Sequence, residues 1–273
     1  MSESGNGVAL ATTYHDPRGV LYPQLQRHLP FLQDIFGGIA ANVSPDLHPP
    51  TLELLRSSGV DLVQQVRNIE RDGVPALGQV RRAVIAQALS LDTPFVMYCD
   101  GDRVLHWAER YPDELAAVIK ELPAADFTVL GRTPRAFASH PRIQSETEAI
   151  INQLYATISG RNWDITAAAR GLSRAVAQAI VDDCADNSIG VDAAWPLFVQ
   201  ARGGFTMRTV ATEGLEFETA TQYPDAVATA GSEEAWKAGL DADPNHWVFR
   251  LNVARVEVQS MVPYQRVASG QPT

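Results

Sequence analysis

Short apolar runs alternate with amphipathic stretches along the first part of this chain. Four runs are typical of buried strands: residues 8–13, 38–43, 59–66 and 95–99. Between them, three stretches carry apolar residues at helical spacing: 21–36, 51–57 and 78–90. Strands that alternate with helices predict an α/β fold, with a mostly parallel, doubly wound, Rossmann-like sheet and helices on both faces.

The second part of the chain is less regular. Helices are expected over three stretches: 112–122, 143–159 and 172–184. Short apolar or alternating runs predict four strands: 126–131, 205–210, 215–219 and 247–258. No repeat or flexible linker separates the two parts, so we expect a single continuous fold made of the halves 1–105 and 106–273.

Composition and charge narrow the classes of function. With 273 residues, 45% hydrophobic and 20% charged, the chain has the composition of a globular protein with a large core. Its formal net charge of −10 argues against a nucleic-acid partner, which favours a basic surface. Only two cysteines occur, Cys99 and Cys184, which fits a reducing compartment. Because we find no signal-peptide pattern and no apolar stretch of the ~20 residues that span a membrane, we expect a cytoplasmic location.

Two aspartates follow one of the apolar predicted strands. Asp100 and Asp102, separated by Gly101, come directly after the run 95–99, and the polar stretch 14–16 follows the first strand. In a doubly wound sheet both groups lie at the carboxyl ends of the strands, where ligands bind. Carboxylates this close repel each other unless a cation lies between them or one takes a proton. Mg²⁺ and Mn²⁺ bind through carboxylates and substrate phosphates, so the pattern favours phosphate-ester or nucleotide-sugar chemistry.

The same aspartates fit two other interpretations. Asp-Gly pairs are common in solvated turns. A phosphatase with an aspartate nucleophile also has paired aspartates after a strand, but it requires a threonine or serine shortly afterwards. Here Arg103 and Val104 follow Asp102, and the strand is the fourth in the chain rather than the first. The metal site is therefore the favoured interpretation.

The order of three stretches resembles a known fold family. Residues 11–16 (Ala-Thr-Thr-Tyr-His-Asp), 78–83 (Gly-Gln-Val-Arg-Arg-Ala) and 100–102 (Asp-Gly-Asp) are similar in order to GT-A-fold glycosyltransferases of the family-two and mannosylglycerate-synthase-like groups. Residues 164–174 are similar to an acceptor-side stretch of polyprenyl-phosphate mannosyltransferases, with alanines where a Ser-Gly is common. The resemblance covers most of 8–196 and predicts the GT-A fold, with an acceptor-side α/β extension.

The resemblance implies a metal-dependent glycosyltransferase that moves a sugar from a nucleoside-diphosphate sugar to a small or lipid-linked acceptor. Five residues of the half 1–105 would contact the donor: Thr12, Tyr14, Asp16, Arg82 and Asp100. Three residues would hold Mn²⁺ or Mg²⁺: Asp100, Asp102 and His246. Three residues of the half 106–273 would bind the acceptor: Arg132, Arg135 and Asp164. Asp192 would be the catalytic base that deprotonates the acceptor hydroxyl.

Several of these residues have a simpler interpretation. Arg81 and Arg82 could both be solvent-exposed, Asp192 could be a helix N-cap, and His246 could be structural. Arg132 and Arg135, in a basic loop after a predicted strand, would suit a phosphorylated or carboxylate acceptor. Trp236 and Trp247 fit either a sugar-binding face or a hydrophobic core.

Two other functions stay open at this point. A nucleotidyltransferase that makes a sugar nucleotide would have a glycine-rich loop with a basic residue after the first strand, and here only Arg18 and Gly19 occur. A non-catalytic sugar-nucleotide-binding protein could also use this fold. The sequence leaves open the nucleotide base, the donor sugar, the acceptor, the stereochemistry and a homodimer.

Overall fold

The computed structural model describes residues 7–64, 70–71 and 74–265. The strands are β1 Val8–Tyr14, β2 Ile39–Val43, β3 Asp61–Gln64, β4 Glu70–Arg71, β5 Val74–Pro75, β6 Phe95–Tyr98, β7 Phe127–Arg132, β8 Ala169–Ser173 and β9 Met207–Thr212. The helices are α1 Tyr22–Ile35, α2 Pro49–Ser57, α3 Leu77–Ala88, α4 Gly101–Arg110, α5 Pro112–Glu121, α6 Pro134–Ala138, α7 Arg142–Ser159, α8 Arg174–Asp183, α9 Val191–Arg202, α10 Pro224–Ala230, α11 Glu233–Ala242 and α12 Pro244–Met261.

Seven strands form one sheet in the order β3-β2-β1-β6-β8-β7-β9. The first four of these are parallel, β7 and β9 are parallel to each other, and β8 is antiparallel to both of its neighbours. The short strands β4 and β5 pair separately. This arrangement confirms the predicted α/β class with a mostly parallel sheet, to which both halves of the chain contribute strands.

Helices cover both faces of the sheet, so the central strands are buried on both sides. Along β1, Val8 and Leu10 pack with apolar side chains of α1, α2, α4 and α5. The intervening Ala9 and Ala11 pack on the opposite face with side chains of α3, α7, α8 and α9. The sheet therefore separates two hydrophobic cores. This explains why the sequences of its central strands are continuous apolar runs rather than alternating apolar and polar residues.

Two predicted elements near the middle of the chain need correction. The helix predicted over 172–184 begins only at α8, because the preceding residues form β8 between two other strands. Ser173 ends that strand and accepts a hydrogen bond from the backbone N–H of Val176, which starts the helix. The strand predicted over 59–66 is β3, which ends at Gln64, and residues 65 and 66 lie outside the described part of the chain.

Two strands predicted near the C-terminus were wrong. Residues 215–219 form a loop that enters a short 3-10 turn, Thr219–Gln222. Residues 247–258 lie in α12, which begins at Pro244 and is capped by Asp243. The period of two arose because α12 carries apolar residues on two faces: Val253 and Val256 are buried, whereas Val248 and Leu251 are exposed.

Both cysteines are buried and unpaired, as expected for small apolar side chains. Within the described ranges, no helix is long and apolar enough to cross a membrane.

Candidate active site

Asp100 lies at the carboxyl end of β6, between groups that stabilise its charge. Its Oδ1 accepts hydrogen bonds from Thr13 Oγ1 at 3.1 Å and from the Tyr98 hydroxyl. Its Oδ2 accepts from Arg81 Nη2 at 3.1 Å. Burial alone would raise the pKa of Asp100, but Arg81 and these hydrogen bonds outweigh it and hold the pKa below its usual range. Asp100 is therefore a fixed anion.

Asp102 lies in the first turn of α4, which begins at Gly101 immediately after Asp100. A Cβ at residue 101 would stand 2.6 Å from the Thr13 carbonyl oxygen and 2.7 Å from Tyr14 Cε1, so only glycine lets the chain turn here. The Asp102 carboxylate accepts from the backbone N–H of Arg103 and from Gln222 Nε2. Burial, together with the charges of two neighbouring carboxylates, raises the pKa of Asp102 to about 7.

A third carboxylate, Glu218, lies beside this pair. Its side chain is only 4% exposed, and among the described residues its Oε2 has no hydrogen-bond partner. Oε1 stands 3.6 Å from Arg103 Nε. Burial raises the pKa of Glu218, and the Arg103 charge opposes this effect. The charges of Arg81, Arg103 and Arg132 act on these carboxylates, but Arg81 also pairs with Asp192, and Arg132 also pairs with Glu148 and Asp164.

A cavity of about 230 Å³ opens between these groups at the carboxyl edge of the sheet. Its walls include both aspartates and the residues Thr13, Tyr14, His15, Leu21, Leu77 and Gln222. In this conformation, the part of the chain that the structure describes holds no group of three His, Cys, Asp or Glu side chains arranged around a metal ion. Asp100 and Asp102 still suit Mg²⁺ or Mn²⁺, because these ions bind carboxylate oxygens and take their remaining ligands from water and phosphate.

Three predicted donor-binding residues of the first strand and turn have different surroundings. Tyr14 lies against Gly101 and lines the cavity. Thr12 is fully buried within β1, and its hydroxyl has no partner among the residues described. The Asp16 carboxylate accepts from the backbone N–H groups of Val20 and Leu21 at 3.0 and 2.8 Å, so it shapes the turn before α1.

Arg81, rather than its neighbour Arg82, contacts the aspartate pair. Arg81 is 4% exposed and bridges two carboxylates, since Nη2 donates to Asp100 at 3.1 Å and Nη1 donates to Asp192 Oδ1 at 3.0 Å. Arg82 instead donates to the carbonyl oxygen of Cys184 and to the Asn187 side chain. The contact with phosphate predicted for Arg82 stays a prediction.

Asp192 lies inside the first turn of α9, not at its N-cap, which is Gly190. Besides Arg81, it has Arg170 Nη2 3.8 Å from Oδ1, and the same guanidinium donates to the Asp192 carbonyl oxygen at 3.0 Å. Glu257 of α12 is also buried near this cluster, and burial and the Asp192 charge raise its pKa well above the usual range. The base role of Asp192 stays a prediction, and the contacts give it a clear role in holding Arg81.

The arginines predicted to bind an acceptor are already paired with acids. Arg132 is fully buried, with Nε 2.8 Å from Asp164 Oδ2 and Nη2 2.7 Å from Glu148 Oε2. Burial would raise the pKa of Asp164, but the Arg132 guanidinium holds it well below its usual range. Arg135 is half-exposed, and its Nη1 donates to Glu216 Oε2 at 2.7 Å. Neither guanidinium is free to bind an anionic acceptor in this conformation, and their acceptor role, with that of Asp164, stays a prediction.

His246 does not line the cavity of the two aspartates. It lies in the first turn of α12, with Nδ1 3.9 Å from Asp243 Oδ2, and lines a different cavity of about 510 Å³. The third metal ligand predicted from the sequence is thus not beside Asp102 in this conformation. Gln222 contacts Asp102 there instead.

The loop after β9 brings Glu218 and Gln222 to the site. Glu114 of α5 holds this loop, since its Oε2 accepts from the backbone N–H of Gly214 and from Trp107 Nε1, both at 2.8 Å. Gly214 lies so close to Trp107 that a Cβ would stand 1.9 Å from the indole Cδ1. The position of the loop therefore depends on direct contact between backbone and indole.

Four residues of the site were not predicted from the sequence: Arg81, Arg103, Glu218 and Gln222. Arg81 precedes two apolar residues of α3 by three and four positions, so helical spacing alone places it on the buried face. Arg103 follows Asp102, but nothing in the sequence indicates that its side chain is buried. Glu218 and Gln222 lie in the loop after β9, far from the aspartates in sequence. No local sequence pattern indicates that this loop contacts the site.

Comparison with solved structures identifies the architecture. The chain is similar to glucosyl-3-phosphoglycerate synthase from Mycobacterium tuberculosis, solved in complex with Mn²⁺, uridine diphosphate and phosphoglyceric acid. The TM-score is 0.54, over 97% of this chain and 79% of that chain, at 11% sequence identity. This protein has a GT-A fold.

Two other structures with the GT-A fold are more distant from the chain. TarS of S. aureus, as the fragment 1–349, matches 95% of this chain and 73% of its own at 12% identity and a TM-score of 0.44. A mannosyltransferase from Pyrobaculum calidifontis, in complex with GDP-Man and Mn²⁺, matches 96% of this chain and 78% of its own at 11% identity and a TM-score of 0.44. No protein-family model matches the sequence, and no curated protein is significantly similar to it. These comparisons give no support to a homodimer.

Proposed function

We propose that this protein is a metal-dependent glycosyltransferase that uses a nucleoside-diphosphate sugar as its donor. The observation that carries the proposal is the pair Asp100 and Asp102 lining a cavity at the carboxyl edge of a GT-A sheet. Glycosyl transfer fits this geometry because the diphosphate that leaves the sugar carries charge that must be neutralised. The solved neighbour from M. tuberculosis, whose crystals contain Mn²⁺ and uridine diphosphate, is consistent with this chemistry.

Asp100 and Asp102 would hold the Mn²⁺ or Mg²⁺ ion. When bound, the metal would supply Lewis-acid stabilisation of the departing diphosphate. Arg81 keeps Asp100 ionised, and Asp192 keeps Arg81 in place. Arg103, directly after Asp102, has a buried Nη1 with no acceptor among the described residues.

The site forms where the two halves of the chain meet, and our proposal assigns the donor mainly to 1–105 and the acceptor to 106–273. The Arg81–Asp192 and Asp102–Gln222 contacts each join the two halves. We retain Asp192 as the proposed base for the acceptor hydroxyl. Because Asp192 also holds Arg81, Asp192→Asn is expected to weaken donor binding, and the base role requires in addition a loss of kcat at saturating donor.

A thermal-shift panel tests the proposal. UDP-, GDP-, ADP- and dTDP-sugars are added with Mn²⁺ or with EDTA, since a ligand at 100 times its Kd stabilises the fold by about 2.7 kcal/mol. We expect at least one sugar nucleotide to raise Tm only with Mn²⁺, and Asp102→Asn to abolish the shift. The matched control, Asp113→Asn on the exposed side of α5, should keep it. No shift with any of the four, or an equal shift in Asp102→Asn, contradicts the proposal.

A further inference from the structure

Gln222 joins the cavity of the two aspartates from the other half of the chain. Among the described residues, it is the only one from 106–273 that lines this cavity. Its side chain is partly buried, and its Nε2 donates to Asp102 Oδ2. The fold therefore brings a neutral amide from the loop after β9 into direct contact with one of the proposed metal ligands.

The carboxylate oxygens of Asp100 and Asp102 differ in the partners that hold them. Both oxygens of Asp100 accept hydrogen bonds from the side chains described above. Asp102 Oδ1 accepts from the backbone N–H of Arg103 at 2.9 Å. Among the described residues, the only donor to Asp102 Oδ2 is the Gln222 amide. A metal ion that approaches Asp102 Oδ2 therefore meets Gln222.

A glutamine amide can serve such a carboxylate in two ways. Nε2 is a donor, which suits an ionised carboxylate without a metal, whereas Oε1 is an acceptor with two lone pairs. The terminal torsion of glutamine is broad and roughly twofold, so half a turn exchanges the two atoms while the rest of the side chain stays in place. Hard divalent cations take oxygen ligands, and side-chain amide oxygens are among those that proteins supply. Rotation of this amide would thus replace a hydrogen-bond donor by a metal ligand.

The backbone of Gln222 is held at the cavity by contacts that do not involve its amide. Residues 219–222 form a 3-10 turn, and the Gln222 carbonyl oxygen accepts from Arg18 Nη2 at 3.0 Å. The next residue, Tyr223, packs its ring against Trp236, with ring centroids 5.8 Å apart. The amide can therefore turn without a change in the position of the segment.

Other candidates for a third ligand are less well placed. Within the described ranges, no third His, Cys, Asp or Glu completes a metal-binding group with the two aspartates in this conformation. His246 lines a different cavity, and Glu218 is not among the residues that line this one. His15 does line it, but its ring is more than half exposed and its Nδ1 lies 3.5 Å from Asp46 Oδ1. Gln222 is the candidate in direct contact with a proposed ligand.

We propose that Gln222 is the third protein ligand of the metal and that metal binding reverses its amide. Nε2 donates to Asp102 in the metal-free protein, and Oε1 coordinates the ion when the ion is bound. The inference rests on the metal site of the proposed function. It makes metal binding depend on the loop after β9 as well as on the two aspartates.

Titration with Mn²⁺ alone at pH 7.5, with free Mn²⁺ measured by electron paramagnetic resonance, tests the inference. Gln222→Met keeps the length of the side chain and removes the amide. We expect it to weaken Mn²⁺ binding by about tenfold or more, since even residues that only orient a metal ligand are worth about 10–100-fold in affinity. Gln222→Glu should bind Mn²⁺ at least as tightly as the wild type, because a carboxylate oxygen replaces Oε1.

The matched control is Gln178→Met on the exposed side of α8. Its amide also donates to an aspartate, Asp182, at 2.9 Å, but it lies outside the cavity. This variant should leave the Mn²⁺ affinity unchanged. Circular dichroism and Tm establish that all three variants are folded.

The sign of the change in Gln222→Met separates a ligand from a group that only blocks Asp102. A blocking amide competes with the ion, so its removal would strengthen Mn²⁺ binding, and a stronger or unchanged affinity overturns the inference. Equal losses in folded Gln222→Met and Gln222→Glu overturn it too, because the new carboxylate could still coordinate the ion.

Failure of the inference can be told apart from failure of the proposed function. If Asp102→Asn loses Mn²⁺ and Gln222→Met keeps it, the metal site stands and Gln222 is not its ligand. If the wild type binds no Mn²⁺, the inference is overturned, and the thermal-shift panel with sugar nucleotides decides the transferase proposal separately.

Discussion

Replacement of Arg81 by methionine tests how the aspartate site is held together. Arg81 is buried and its two Nη atoms lie 3.0 and 3.1 Å from carboxylates of Asp192 and Asp100. Arg81→Met keeps most of the apolar stem and removes the charge. Removing one partner of a buried ion pair costs about 3–5 kcal/mol, because the carboxylates that remain are uncompensated. Since Thr13 and Tyr98 still donate to Asp100, we expect the lower end of that range.

A loss of about 3 kcal/mol corresponds to a fall in Tm of roughly 6 °C or more, at about 2–4 °C per kcal/mol for a large domain. Urea unfolding at pH 7.5 measures the free energy directly. The matched control is Arg82→Met on the same helix, where neutral acceptors are lost and the cost should be about 1 kcal/mol. The double variant Arg81→Met/Asp192→Asn should recover part of the stability, because one stranded charge is removed. If Arg81→Met costs no more than Arg82→Met, Arg81 is not the group that organises the site.

The remaining predictions concern Asp102, Gly101 and Arg135. Asp102 has a pKa raised to about 7 by burial and neighbouring acids, against 3.8 unfolded, so the metal-free fold loses stability as pH rises between these values. Asp102→Asn should therefore stabilise the EDTA-treated protein at pH 8 by up to about 4 kcal/mol and have little effect near pH 4. Urea unfolding at both pH values measures this, and equal effects at the two pH values would contradict the prediction. Gly101→Ala should cost about 1–3 kcal/mol of folding stability and weaken Mn²⁺-dependent nucleotide binding, because the added Cβ would clash with the Thr13 backbone. Its control is Gly239→Ala on α11, where the added Cβ would lie in open space and should stabilise the fold by about 0.5–1 kcal/mol. Thermal denaturation of both variants measures the difference. Arg135→Ala should change the free energy of unfolding by less than about 1 kcal/mol, since its ion pairs are exposed, and a larger loss would assign it a structural role.

The strands of the first half could be predicted because they are buried on both faces. Each of β1, β2 and β6 is a short apolar run between polar turns, so its type and place follow from local composition. The position of the aspartate pair could be predicted from the same pattern, because polar residues directly after a buried strand lie at the edge of the sheet.

The second half was less predictable because tertiary contacts decide its elements. α12 carries apolar residues on two faces, which gives the period of a strand along the sequence. Strand β8 is short, and it is stabilised by pairing with β6 and β7, which are distant in sequence. The pairing of Arg132 with Glu148 and Asp164 was hidden for the same reason: the partners lie 16 and 32 residues away. Basic residues in a predicted loop look free until their partners are known.

Gly214 illustrates how a residue without a side chain can govern chemistry elsewhere. Its backbone lies against Trp107, where no Cβ fits, and the loop that begins there carries Glu218 and Gln222 into the site. Any substitution at 214 must push the loop away from α4 and so withdraw a carboxylate and an amide together. Among natural or random variants, inactive proteins with intact aspartates should therefore include replacements at residue 214, outside both cavities.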